Sequence, residues 1–117
     1  MSRETAIWVD GVLESALPLP DRGLDYGDGL FETLLLHSAQ PLHVELHLAR
    51  LARGCRTLGF PECELAVLEH LHLAAACAGE RNWPWSALRI SLTRGAGPRG
   101  YAPPTDAKPR LIACVTN

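Results

Sequence analysis

The chain has 117 residues, 47% of them hydrophobic and 21% charged, with a formal net charge of −2. That balance fits one folded domain, excludes a disordered chain, and gives no electrostatic reason to expect nucleic acid or an anionic membrane as partner. No apolar run reaches spanning length and Met1-Ser2-Arg3-Glu4 lacks signal-peptide character, so a cytoplasmic location with no membrane association is expected.

Ile7-Trp8-Val9 followed by Asp10-Gly11 reads as a strand and a tight turn, with Val12 to Leu17 returning as the second strand of a hairpin. Pro18 and Pro20 end that strand, because proline has no N–H for a ladder. The stretch Asp21-Arg22-Gly23-Leu24-Asp25-Tyr26-Gly27-Asp28-Gly29 reads as a loop. Its aspartates can hold turns and its glycines admit close approach, so it forms either a site wall or a turn that positions the next strand. Leu30 to His37 is that strand, strongly apolar and expected to be central and covered on both faces. Ser38-Ala39-Gln40 turns the chain, and Pro41 to His43 pairs back briefly.

Val44 to Leu58 is a helix, with Leu48, Leu51, Ala52, Cys55 and Leu58 forming its buried stripe. Gly59 and Pro61 stop it. Glu62 and Glu64 open a second helix, whose stripe is Val67, Leu68, Leu71, Ala74, Ala75 and Ala78 and which closes at Gly79. Trp83-Pro84-Trp85 is a connector with two large anchors. Ala87 to Thr93 alternates Leu88, Ile90 and Leu92 against Arg89, Ser91 and Thr93, the pattern of a half-covered strand. A second unusual loop runs from Arg94 to Tyr101, a Pro-rich tip from Pro103 to Pro109, and a last strand from Arg110 to Val115. Hairpins first and a helix pair later predict an α+β fold: an antiparallel sheet with two helices packed on one side.

The cysteines Cys55, Cys63, Cys77 and Cys114 have no metal-knuckle spacing and read as free thiols. His43 and His47, four apart, can share a helix face, but further ligands are lacking and no metal site is expected.

Asp21-Arg22, Tyr26-Gly27-Asp28-Gly29-Leu30-Phe31-Glu32-Thr33, His47-Leu48-Ala49-Arg50-Leu51 and Leu58-Gly59-Phe60-Pro61 together resemble the fold-type IV pyridoxal-phosphate enzymes. That family holds the branched-chain and D-amino-acid aminotransferases and aminodeoxychorismate lyase. The resemblance spans nearly the whole chain in order, and Ser91 to Tyr101, with its Arg-Gly-x-Gly-x-Arg-Gly-Tyr run, looks most like the lyase branch. It implies that residues 1–117 are the small N-terminal domain of a two-domain homodimeric enzyme, with pyridoxal 5′-phosphate held at the domain interface and a small molecule as substrate. The lyase reaction it implies converts 4-amino-4-deoxychorismate to 4-aminobenzoate and pyruvate in folate synthesis.

Residue by residue, the resemblance makes Arg50 the anchor of the cofactor phosphate, which suits the fixed fork of a guanidinium. The alternative is a solvated helix arginine. It places Tyr26 and Phe31 in the substrate pocket wall, against core packing as the alternative. Arg94, Arg99 and Tyr101 fall in the loop that would face a substrate with two carboxylates, against a loop open to solvent. Asp21 and Arg22 are expected to brace the first loop, and Glu32 to be structural.

The chemistry needs a lysine, which in the family lies in the larger domain, as does the carboxylate partner of the pyridine nitrogen. The lone lysine here, Lys108, sits in the Pro-rich tip without a family motif and reads as a solvated charge. No catalytic residue is therefore assigned, and the isolated chain is expected to be inactive. An aminotransferase of small amino acids and a non-catalytic binding domain of the same fold are the competing readings. A chain lacking its second domain should show an exposed apolar face; a self-sufficient module should not.

Overall fold

A computed structural model describes residues 4–96 and 108–117. Alternation along β5 (Trp85–Thr93) shows how the sheet is built: Leu88, Ile90 and Leu92 are buried on one face while Arg89 is exposed on the other. The same rule holds on β6 (Arg110–Thr116), where Leu111, Ala113 and Val115 point inward, and on β1 (Thr5–Val9), where Ala6 and Trp8 do. With β2 (Val12–Leu13), β3 (Gly29–His37) and β4 (Gln40–Pro41) these strands form one six-stranded sheet in the order β2-β1-β6-β5-β3-β4. Every neighbouring pair is antiparallel.

Helices α2 (Val44–Leu58) and α3 (Glu64–Glu80) cover the inner face. Leu51 and Cys55 of α2, with Val67, Leu71, Ala74 and Ala78 of α3, join the inward strand residues in one core. Gly59 in the left-handed region ends α2 and donates to the Cys55 carbonyl. The second helix runs through Gly79 to Glu80, rather than closing at Gly79; its C-cap Arg81 donates to the Cys77 and Gly79 carbonyls. The expected α+β arrangement, an antiparallel sheet with two helices on one side, is what the fold shows. No helix among the described residues is long and apolar enough to cross a membrane.

Further local expectations are corrected: Ala52 and Leu58, expected in the buried stripe of α2, are exposed, and its buried residues are Leu51 and Cys55. The stretch after Asp21 is not all loop: α1 (Arg22–Tyr26) is a short helix there, capped by the Asp21 carboxylate, which accepts from Gly23 N–H at 2.7 Å and Leu24 N–H at 3.3 Å. The hairpin's second strand stops at Leu13, because Ser15 to Pro20 leave the sheet and Arg110 binds the carbonyls of Pro18 and Pro20 instead. Finally, β3 is neither central nor covered on both faces by described residues. Glu32, Leu34 and Leu36 are buried, whereas Phe31, Thr33 and Leu35 are exposed. Beyond β3 lies only β4, which pairs with Leu36 and His37 and leaves the Gly29–Leu34 edge without a strand neighbour among the described residues.

Candidate functional site

An apolar strand carrying one carboxylate on its buried face must find that carboxylate a partner. Glu32 is that residue, and α2 supplies the partners. His47 and Arg50 are three apart on α2, so they share a face, and that face meets β3. Arg50 Nε donates to Glu32 Oε2 at 2.8 Å and Nη2 to Oε1 at 2.7 Å, a two-point fork. His47 Nδ1 lies 2.6 Å from the same Oε1. An ionised carboxylate only accepts, so that ring nitrogen carries the hydrogen. Burial pushes the Glu32 carboxyl up, but hydrogen bonds from Arg50 and His47 together outweigh it and hold the carboxyl below its ordinary range. The same contact raises Arg50 above its ordinary value.

The Glu32 side chain is 7% exposed and that of Arg50 64%. The inner edge of the guanidinium is thus committed and its outer edge, with Nη1, has no hydrogen bond to a described residue. A rigidly held fork with one donor edge open is what a phosphate group requires, so this residue set fits a phosphorylated cofactor.

Beside it lies a second cluster around Asp28, between α1 and β3. Arg22 Nε donates to Asp28 Oδ2 at 3.0 Å, and Arg94, just past β5, pairs with Oδ1 at 3.2 Å. Arg94 also donates to the Leu58 carbonyl at 2.8 Å and lies 4.1 Å over the Phe60 ring. It therefore ties the α2–α3 connection to the start of β3. Asp28 is held below its ordinary pKa: burial raises it, and Arg94 and Arg22 more than compensate. Asp21 is fully buried; beyond its capping bonds it accepts from Thr93 Oγ1 at 2.9 Å and Arg110 Nη1 at 2.8 Å. Asp21 and Arg22 brace α1.

The outer face of the sheet carries the aromatic candidates. Phe31 is 58% exposed, with the Arg89 guanidinium 4.2 Å over its ring. Leu35 and Trp85 are exposed on the same face, and Trp85 stacks on His37 at 4.3 Å between centroids. Tyr26 is partly exposed beneath the Arg22 guanidinium, 4.8 Å from its ring centroid.

Of the residues singled out in the sequence, Arg50 is on the helix side of β3 and Phe31 on the opposite side, with Tyr26 on α1 before the strand. Arg94 is turned into the scaffold. Arg99 and Tyr101 lie outside the described residues. Reading the sequence alone leaves Glu32 structural, weighs His47 only as a metal ligand and as part of the run around Arg50, and misses Arg89. A signal for the first two exists: a lone acid inside an apolar strand, and a basic pair at helical spacing after it.

A concavity of about 520 Å³ between α2 and α3 is lined by Leu48, Ala52, Cys55, Phe60, Cys63 and Val67 among others, and Arg50 is not in its wall. The two thiols there, Cys55 and Cys63, stand 3.7 Å apart, and all four cysteines are free.

Comparison with known proteins adds the family. A model for class IV amino-transferases matches residues 29–117. The crystal structure of 4-amino-4-deoxychorismate lyase from Pseudomonas aeruginosa superposes with a TM-score of 0.81 at 45% identity, over 92% of this chain and 38% of that one. The pyridoxal-phosphate-bound form of a hypothetical aminotransferase from Mycobacterium tuberculosis gives a TM-score of 0.78 at 26% identity, over 96% and 39%. A curated relative from the same organism, a bifunctional aminodeoxychorismate lyase / D-amino acid transaminase, is 32% identical over 119 residues, covering 91% of this chain and 40% of its own length. The chain thus spans about two-fifths of the length of each. With this family match over strands β3 to β6, both long helices and the Glu32–Arg50 cluster, the chain belongs to the class IV amino-transferase family.

Proposed function

We propose that this chain forms one wall of the active site of a pyridoxal-phosphate-dependent lyase that converts 4-amino-4-deoxychorismate to 4-aminobenzoate and pyruvate. The observation that carries this reading is the Arg50 fork, locked by Glu32 on one edge and open on the other. When bound, the cofactor supplies the electron sink. The chain's own residues bind and orient. Arg50 grips the phosphate. Phe31 is the strand neighbour of Glu32, the residue that holds Arg50, and faces the other side of β3, so a ligand lying across the strand edge left uncovered by described residues meets both Arg50 and Phe31. Tyr26, on the neighbouring short helix, closes the pocket. Arg94 is tied to Asp28 and the Leu58 carbonyl, and Arg99 and Tyr101, outside the described residues, are the further candidates for binding the substrate. Identity of 45% to the Pseudomonas lyase supports this branch of the family.

In this reading the chain is the smaller, N-terminal domain of a cytoplasmic homodimer acting in folate synthesis, and the catalytic lysine lies outside it. Exposed Phe31, Leu35 and Trp85 then mark the face on which the rest of the enzyme docks. Lys108, exposed beside Pro109, takes no part. The isolated chain neither fixes the cofactor covalently nor turns over substrate. Borohydride fixation of pyridoxal phosphate on Lys108 would contradict this.

Transamination of D-amino acids is the second reading, favoured by the 32% identity to a relative that carries both activities in its name. The protein expressed from its complete reading frame and loaded with pyridoxal phosphate separates the two. Formation of fluorescent 4-aminobenzoate from 4-amino-4-deoxychorismate supports the lyase. Keto-acid formation from D-alanine without 4-aminobenzoate supports the transaminase, and neither product points to a binding domain.

A further inference from the structure

We infer that Glu32 is the positioning residue that aims the Arg50 guanidinium at the cofactor phosphate, with His47 holding Glu32 in turn; this rests on the phosphate role proposed for Arg50. An arginine on an exposed helix face samples many rotamers, and ordering it costs side-chain entropy. Here two of its nitrogens meet two carboxylate oxygens at 2.8 and 2.7 Å, which fixes both the plane and the rotation of the guanidinium. The donors without a partner among the described residues, Nη1 and the outer hydrogen of Nη2, must then point along one direction. His47 Nδ1, at 2.6 Å from Oε1, keeps the carboxylate from swinging away.

Stability does not explain an acid at this position. Glu32 stands on the inner face between Leu30 and Leu34 and opposite Ile90, where an apolar side chain would pack. Replacing buried ion pairs by hydrophobic residues is often neutral or stabilising. Nor does charge explain it. A carboxylate beside Arg50 lowers the net positive charge seen by an incoming phosphate and, on Coulomb grounds alone, weakens binding. Geometry is what remains: the pair gives up part of the attraction and gains a preset fork.

The two effects have opposite signs, so the experiment decides between them. In the complete protein, dissociation constants for pyridoxal phosphate and for pyridoxal are measured by absorbance for wild type, Glu32→Gln, Glu32→Asp and Arg50→Gln, with thermal denaturation as a check on folding. Positioning predicts that Glu32→Gln and Glu32→Asp each weaken the phosphorylated ligand about tenfold, with pyridoxal changed less than about twofold. Glu32→Asp keeps the charge and moves it back by one methylene, so it stays informative should the glutamine variant fail to fold. Wild-type or tighter binding of pyridoxal phosphate by both Glu32 variants, with Arg50→Gln still selectively weakened, overturns the positioning role and leaves the phosphate role intact. An unchanged ratio of the two ligands in Arg50→Gln overturns the phosphate role and the positioning role together.

Discussion

Glu32 on β3 and Arg50 on α2, eighteen residues apart in sequence, meet in a two-point ion pair at 2.7 and 2.8 Å on the helix side of the sheet. The next residue back along the strand, Phe31, faces the other side and is exposed. Adjacent residues of one strand thus serve opposite faces, and the strand edge between them is uncovered by any described strand. In the proposed site, one ligand lying across that edge would meet the Arg50 cation on the inner side and the Phe31 ring on the outer.

Stability should fall on acidification in a way that traces to Glu32 and Asp28. Both carboxyls lie below their ordinary values of 4.5 and 3.8 in the folded chain. A carboxyl depressed by folding contributes stability above its unfolded pKa, and that contribution is lost as pH falls through the folded pKa. Urea midpoints measured from pH 7 down to about pH 3 should be flat at first and then drop below about pH 4.5. Asp28→Asn and Glu32→Gln should each flatten the drop; slopes identical to wild type would contradict the assignment.

Asp21→Asn should destabilise the protein by about 3 kcal/mol, the usual cost of breaking a buried, hydrogen-bonded ion pair. The carboxylate is fully buried and serves Gly23, Leu24, Thr93 and Arg110 at once. An amide cannot accept from all four. Urea denaturation checks this, and a loss under about 1 kcal/mol would mean that the cluster is dispensable.

Much of this fold was legible in the sequence. The helix at Val44–Leu58 and the strand ending at Thr93 were readable because their apolar periods, 3.6 and 2, run unbroken and end at Gly59 and near Arg94. The short helix after Asp21 was not, because Gly23 and Asp25 have weak helix propensity and only the cap reveals the turn. β3 misled by composition: Leu30, Leu34, Leu35 and Leu36 suggest two covered faces, yet Leu35 is exposed in this chain. For the candidate site, the run around Arg50 singled out the proposed anchor, but the orientation of its side chain depends on a contact eighteen residues away that local spacing does not encode.

Gly95→Ala should cost about 2 kcal/mol or more. Its φ is +82°, and an added Cβ would lie 2.2 Å from the Lys108 carbonyl oxygen. Both the backbone conformation and the space exclude a side chain. Thermal denaturation of the variant should show a clear loss; a shift within about 0.5 kcal/mol would contradict the geometry.

Cys63 should resist alkylation at neutral pH. Burial, the Cys55 thiol and the carboxylates of Glu62 and Glu64 push its pKa up to about 12. Only the thiolate reacts, so its iodoacetamide rate should rise about tenfold per pH unit between pH 7 and 10. Peptide mapping by mass spectrometry gives the rate for each cysteine. A Cys63 rate at pH 8 matching that of a small free thiol would show that the environment is misassigned.

The most direct test of the central claim is a crystal structure of the complete protein loaded with pyridoxal phosphate. Anchoring by Arg50 predicts phosphate oxygens about 2.8 Å from the outer edge of its guanidinium, with the Glu32 fork still closed on the inner edge. A phosphate bound elsewhere, with Arg50 pointing into solvent, would contradict it.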